Sequence, residues 1–314
     1  MEANDIILLP HNKINFKHWD KVITNSYNCR IYALSSYLNI ITKGKWNALI
    51  LGNYDYIMPL PIKRKLFLKV ALQPKFAQQL GIFSPHKITS GIIEGFVNAI
   101  PKSIKYLELN FNIHNDLSIL ECNKHKQIKT NTNYELDLIQ PYNELYSQFS
   151  ENTKRNIKKS QKNNIKVINI DANTFYNFFK SHFTKQVKKS LTKQDFDTLK
   201  KLTHFTNISI DFNSIFKAAV SQDNKILAVA YFLSKNNRIY YLDGISSLQG
   251  REQSAMFAIF NNMIESYSGK PAIFDFEGSN ISNIARFYKG FGATSTKYYT
   301  LIINNIGYIA NMKR

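Results

Sequence analysis

Cysteine is scarce in this chain. Cys29 and Cys122 are the two thiols in 314 residues, too few for a disulfide framework, which excludes a small stapled scaffold and fits a reducing compartment. The seven histidines, at positions 11, 18, 86, 114, 125, 182 and 204, include no pair at i,i+3 or i,i+4. Cys122 and His125 are spaced like two metal ligands but lack a second pair, so no metal site is expected. No G-x-S-x-G elbow and no Walker-type loop occurs, which sets aside hydrolases and kinases. No run approaches the roughly 18 apolar residues of a membrane span. The first ten residues, MEANDIILLP, carry acids where a signal peptide is basic, so a soluble, cytoplasmic protein is expected. Acids are scarce too: 22 Asp and Glu stand against 41 Lys and Arg, for a net charge of +19. Such an excess either serves an anionic partner such as RNA or a phosphate, or reflects the Lys, Asn and Ile usage of an A+T-rich genome.

What is plentiful is apolar and aromatic. With 44% hydrophobic residues, 22 Phe and 18 Tyr, the chain can bury a large core, and its length fits two domains of about 150 residues. Residues 46–66 read as strand, turn, strand, with Asn53 and Asp55 near the turn. Residues 216–241 have the same form, with Gln222, Asp223 and Asn224 at the turn. Each is followed by a helical stretch (92–100 and 254–267) and then a strand (105–112 and 272–280), which matches Glu108 to Asp275 and Asn110 to Glu277. The order predicts an internally duplicated α+β unit, with domains 1–140 and 141–314. The second begins with a basic helix that places Lys154, Lys158 and Lys162 at i, i+4, i+8, beside Arg155 and Lys159.

The densest stretch is 274–292, FDFEGSNISNIARFYKGFG. Phe274 and Phe276 alternate with Asp275 and Glu277, which predicts two aromatics in a core and two carboxylates on the other face. Gly278 breaks the strand, Ser279 or Asn280 is the expected cap of a short helix, and Gly290 and Gly292 end it. Together with the segment SENTKRNIKKSQKNNIKV, this stretch resembles the Fem-type aminoacyltransferases that build peptidoglycan cross-bridges, a branch of the GNAT acyltransferase superfamily. The resemblance covers the chain from about residue 46 to the end. It implies a tandem GNAT-like fold of two mixed-sheet units and transfer of an acyl or aminoacyl group to an amine of a cell-envelope precursor or small polar acceptor. Fem families commonly show Phe-Lys-Lys-Gly-Phe-Gly where this chain has Phe287-Tyr288-Lys289-Gly290-Phe291-Gly292, so Tyr288 replaces the first basic residue.

Acyl transfer to an amine needs a donor for the developing oxyanion and a sink for the amine proton. Asp275 and Glu277 are the candidate proton acceptors and Lys289 the candidate oxyanion or phosphate partner, with Arg155, Arg286 and Tyr288 as substrate-binding candidates. A pairing of Asp275 with Arg286 that merely closes the turn is the structural alternative. Gln73, Gln78 and Gln79, in one loop, are candidates for a polar acceptor because each amide both donates and accepts. The usual GNAT pyrophosphate loop has small residues where this chain reads Arg251-Glu252-Gln253-Ser254-Ala255-Met256, so coenzyme A should be held poorly; Gln249, Arg251 and Ser254 remain the donor-binding candidates. No permanently bound cofactor is expected, and the acyl donor is either aminoacyl-tRNA or acyl-coenzyme A. Two other readings stay open: a coenzyme A-dependent N-acetyltransferase, and a non-catalytic RNA- or phosphate-binding protein on the same fold.

Overall fold

The computed structural model describes residues 6–65, 67–183, 191–209, 211–278 and 280–306. The strands are β1 (Ile7–Leu9), β2 (Trp46–Leu51), β3 (Tyr56–Lys65), β4 (Leu68–Leu72), β5 (Ile104–Phe111), β6 (Lys126–Asp137), β7 (Lys166–Asn169), β8 (Asn213–Val220), β9 (Ile226–Lys235), β10 (Arg238–Ser246), β11 (Ile273–Asp275) and β12 (Thr294–Asn304). The α-helices are α1 (Phe16–Asn25), α2 (Ser35–Thr42), α3 (Ser90–Asn98), α4 (Tyr142–Ser147), α5 (Glu151–Lys162), α6 (Ala172–Ser181), α7 (Lys193–Ile208), α8 (Leu248–Glu252), α9 (Ala255–Tyr267) and α10 (Ser282–Gly290). The fold is mixed α+β and divides into two compact units, Met1–Asn131 with Lys297–Arg314, and Thr132–Thr296. The sequence predicts a single boundary at 140/141. As packed, the division falls after Asn131, and the end of the chain belongs to the first unit because β12 pairs with β5.

In the first unit β2 and β3 form an antiparallel hairpin, β1 extends it beyond β2, and β4 pairs antiparallel with β3. β5 then runs parallel to β4, which requires a crossover, and α3 supplies it. Thr89 caps that helix through the Ile92 N–H, and Ile93, Phe96 and Val97 turn inward at helical spacing. They meet Leu49, Met58, Leu60, Leu107, Leu109 and Leu301 in one core.

The second unit repeats these kinds of pairing. β8 and β9 are an antiparallel hairpin, β7 flanks β8, β10 is antiparallel to β9, α9 makes the crossover, and β11 is parallel to β10. β6 closes the order, antiparallel to β11. Ile259, Phe260, Met263 and Ile264 form the buried stripe of α9. Around the Phe260 ring pack Phe274, Phe276, Phe287 and Phe291, with centroids 5.1–5.8 Å away. The alternation of Phe274 and Phe276 therefore does bury both aromatics, as the sequence predicted. α10 crosses α5 closely at Gly290, where a Cβ would lie 2.3 Å from Thr153 Oγ1. Only glycine fits that crossing.

Candidate functional site

β10 and β11 pair over three positions only, Arg238 with Ile273, Ile239 with Phe274, and Tyr240 with Asp275. Beyond them the strands part. Among the described residues β10 continues to Ser246 held by β9 alone, while the chain after β11 stays with β6 through the bond from the Phe276 N–H to the Tyr134 carbonyl. Glu277 and Gly278 then turn at φ +56° and +53°. At Gly278 a Cβ would stand 2.3 Å from the Thr132 carbonyl oxygen and 2.6 Å from Asn133 Cα, so a side chain there would push this turn off β6. The result is an open edge on β10. Leu227–Leu233 of β9 are buried without exception, whereas Tyr241–Ser246 are all half-buried.

On that edge the register shifts: Tyr241 faces Phe232 and Asp243 faces Tyr231, so Leu242 is an inserted bulge residue. The Asp243 carboxylate accepts the Gly244 N–H at 2.8 Å and makes no ion pair among the described residues. Burial pushes its pKa up to about 7 against the opposing pull of that hydrogen bond. Tyr241 folds its hydroxyl over Gly244, 2.7 Å from where a Cβ would be, so the glycine makes room for the phenol. Burial, with the nearby charges of Asp243 and Glu277, raises the pKa of both Tyr241 and Tyr288 above the ordinary phenol value. Both remain hydrogen-bond donors at neutral pH.

Asp275 is placed otherwise than expected. It is 1% exposed and ion-paired to Arg238 at 2.8 Å, and the same guanidinium holds Glu135 at 2.8 Å. Asn133 Nδ2 donates to both carboxylates, and the Glu277 N–H donates to Asp275 Oδ1. This buried cluster ties β6, β10 and β11 together; Asp275 has neither a proton-transfer opening nor the Arg286 partner that the turn suggested. Glu277 does not share its face as a strand residue, because β11 ends at Asp275 and Glu277 is left-handed. Arg286 and Lys289 are exposed, with the Lys289 ammonium 5.8 Å above the Tyr134 ring. Tyr288 is a core residue, its ring 4.9 Å from Phe276. Of the two expected caps, Ser279 lies outside the described residues. Asn280 instead accepts the Thr132 N–H, and α10 starts after Ile281 without a side-chain cap.

The segment expected to grip a pyrophosphate is a short helix. The N–H groups of Gly250, Arg251, Gln253 and Ser254 are used internally, by Ser247 Oγ and by the Ser247, Gln249 and Arg251 carbonyls. Gln249 accepts from Lys225 Nζ, and Arg251 is exposed. Ser254, left-handed at φ +62° and 4% exposed, donates to Asn156 Oδ1 of α5 at 2.7 Å. The basic helix thus lies against the start of α9. Ser150 caps it, Thr153, Ile157 and Ser160 face inward, and Arg155, Lys158, Lys159 and Lys162 are exposed. Arg155 bonds Asn152 of its own helix; Lys154 is drawn to Glu151 and the Ser147 carbonyl.

The first unit also has a parallel pair that parts, β4 and β5, and there the gap is stitched shut. Gln73 takes the Asn110 N–H and gives to the Ala77 carbonyl; Asn110 Nδ2 reaches the Gln78 carbonyl. Gln79, fully buried, takes the Ile113 N–H and donates to Gln78 Oε1. The three glutamines hold their own loop within the first unit, whereas the open edge of β10 belongs to the second. Sequence reasoning missed Arg238, Glu135, Tyr241 and Asp243. The one local signal was an acid followed by glycine within the apolar run RIYYLDGIS.

Among the described residues no group of three or more His, Cys, Asp or Glu is placed to hold a metal ion, and no helix is long and apolar enough to cross a membrane. Neither a protein-family model nor a curated protein sequence matches the chain. Solved structures do. FemX superposes with a TM-score of 0.67 at 12% identity, covering 93% of this chain and 96% of its own. L-PGS from Bacillus licheniformis gives 0.52 at 9%, covering 87% and 88%. The C-terminal domain of a putative lysylphosphatidylglycerol synthetase from Agrobacterium fabrum gives 0.51 at 9%, covering 92% and 91%. At such identities the likeness is one of fold, and the fold of this chain is like that of FemX.

Proposed function

We propose that the protein transfers an aminoacyl group from aminoacyl-tRNA to an amine of a cell-envelope precursor or small polar molecule. The Fem-like fold supports the acyltransferase class, and one observation carries the choice of donor. The start of α9, where a GNAT loop would take the pyrophosphate of coenzyme A, is covered by α5 through the bond from Ser254 to Asn156, and the covering helix is basic. A covered loop disfavours coenzyme A, and the exposed cations of the covering helix favour an RNA-borne donor. The two units are, on this reading, copies of one GNAT-like plan, each an antiparallel hairpin followed by a third strand, a crossover helix and a parallel fourth strand. Lys289, exposed on α10, is the proposed contact to the donor's phosphates. Coenzyme A-dependent N-acetylation is the second reading, favoured by the unpaired edge of β10, because an extended ligand chain can pair with a free strand edge.

Electrophoretic or fluorescence titration of tRNA against salt tests the donor assignment. Affinity should fall steeply with salt, and replacing Arg155, Lys158, Lys159 and Lys162 by Gln should flatten the slope by roughly 0.7–0.9 for each phosphate no longer neutralised. An unchanged slope in the variant would remove α5 from the donor site.

A further inference from the structure

β3 ends at Lys65 and β4 begins at Leu68, so two residues connect the strands of this hairpin. Connections of that length favour Asn, Asp and Gly, whose backbones accept the tight turn and which sit well in water. This one reads Leu66-Phe67. Phe67 is 99% exposed, so neither the core of the first unit nor its own strands shelter the ring.

Behind the ring the strands carry cations. Arg64 and Lys69 stand directly opposite each other in the register, and neither makes an ion pair among the described residues. Like charges facing across a strand pair repel, a cost that an anionic partner would reverse. The same edge of the sheet stays basic beyond the hairpin. β5 starts beside β4 and parallel to it, with Lys69 opposite Ile104, so the exposed Lys102 and Lys105 lie near the level of the Arg64–Lys69 pair. β12 ends and β6 begins at this edge: the Asn305 N–H bonds the Lys105 carbonyl and the Asn304 N–H bonds the His125 carbonyl, which brings the exposed Lys124 there. In the segments 63–69, 101–105 and 121–126 the one acid is Glu121.

The level of each group decides which anion fits. Strand residues advance about 3.3 Å each, so Phe67 projects roughly 7 Å beyond the Arg64–Lys69 pair. Interfacial segments sink their apolar side chains about 5–10 Å into the boundary between headgroups and acyl chains, which leaves cations set back by that distance at the lipid phosphates. An RNA site would instead set the ring among the cations, where a base can stack while the phosphates beside it are held. Here the ring leads and the cations follow.

We infer that the β3–β4 hairpin docks the protein on an anionic phospholipid surface, with the Phe67 ring entering the bilayer interface and Arg64, Lys69 and the basic edge behind them meeting the lipid phosphates. An inserted side chain and a basic patch are each weak anchors, and together they hold a protein at a membrane. The surface belongs to the first unit alone and does not depend on the identity of the acyl donor.

Vesicle co-sedimentation and tryptophan fluorescence test the docking. The native chain should bind vesicles of mixed phosphatidylcholine and phosphatidylglycerol, release from them as salt is raised, and not bind pure phosphatidylcholine. Phe67→Ser should weaken binding about 10–100-fold, and Arg64→Gln and Lys69→Gln about fivefold each. All three positions are exposed, so thermal unfolding should be unchanged. The native tryptophans, Trp19 and Trp46, are buried, which leaves them out of reach of a lipid. In Phe67→Trp the added indole should shift its emission to the blue on the mixed vesicles and be quenched by lipids brominated in the acyl chains, while the native emission stays unchanged. The tRNA affinity of each variant should stay at the native value. No binding to the mixed vesicles, binding that Phe67→Ser leaves intact, or an indole that brominated lipid does not quench would overturn the inference. A loss of tRNA affinity in step with the loss of vesicle binding would also overturn it and assign the hairpin to RNA.

Discussion

Asp243→Asn should make the folded protein more stable at pH 8 and leave its stability unchanged at pH 3. In the native fold, burial raises the Asp243 carboxyl from its ordinary 3.8 to about 7. Below 3.8 the group is protonated in both folded and unfolded chains and contributes nothing to pH dependence. As pH rises from 3.8 toward 7, the unfolded chain releases the proton while the folded chain retains it, so the stabilisation present at low pH is progressively lost. Above 7 both states are ionised and the loss is complete. Each tenfold ratio is worth ~1.4 kcal/mol, so the full rise corresponds to ~4 kcal/mol, reduced to about 2–4 kcal/mol because the residue is only half-buried. Urea unfolding of the native chain and Asp243→Asn at half-unit steps from pH 3 to 8.5 gives the difference directly, with other titrating groups cancelling between the two. The variant's advantage should grow from near zero to about 2–4 kcal/mol and level off above pH 7. A difference that is flat across pH, or one that favours the native chain at pH 8, would mean that Asp243 is well solvated or has a cation, and would refute the reasoning.

Arg238→Ala leaves Asp275 and Glu135 buried without their guanidinium and should destabilise the second unit by about 3–5 kcal/mol in urea unfolding; a loss under 1 kcal/mol would mean that water replaces the cation. Gly290→Ala places a Cβ 2.3 Å from Thr153 Oγ1 and should cost about 1–3 kcal/mol, whereas Gly91→Ala, on α3 with no neighbouring atom within 4 Å, should stabilise by about 0.5–1 kcal/mol; equal effects at the two sites would contradict the close crossing of α10 and α5. Lys289→Ala should lower turnover far more than thermal stability, because the exposed ammonium adds little to folding; full activity on an identified substrate would return α10 to a structural role.

Much of the second unit was legible because its signals are local. Phe274 and Phe276 alternate into the core, the turn at 222–224 joins β8 to β9 in a hairpin, and Lys154, Lys158 and Lys162 do lie on one helix, since strand period, turn residues and helical spacing each act within a few positions; the stretch 216–241 nonetheless holds a third strand, β10, after a second turn. The site was legible only in outline. Asp275 and Glu277 look equivalent by alternation, yet one closes an ion pair with Arg238, 37 residues away, and the other lies past the strand's end in a left-handed turn. Asp243 was hidden by a bulge, which shifts the two-residue period without any mark in the sequence, and by the early end of β11, which depends on the fit of Gly278 against β6. The glutamine loop misled for a related reason: polar loop residues are read as free, and these three are consumed in closing the gap beside β5.

The central claim is that this Fem-like chain moves an aminoacyl group from tRNA to an amine. Its most direct measurement is a donor comparison, in which the native protein receives radiolabelled aminoacyl-tRNA or radiolabelled acetyl-coenzyme A with the same set of primary amines, and label is counted in amide product. The account predicts amide formation from aminoacyl-tRNA and none above background from acetyl-coenzyme A. Acetylation without aminoacyl transfer would contradict it and favour the coenzyme A reading, and label in neither product would leave a binding protein on an acyltransferase fold.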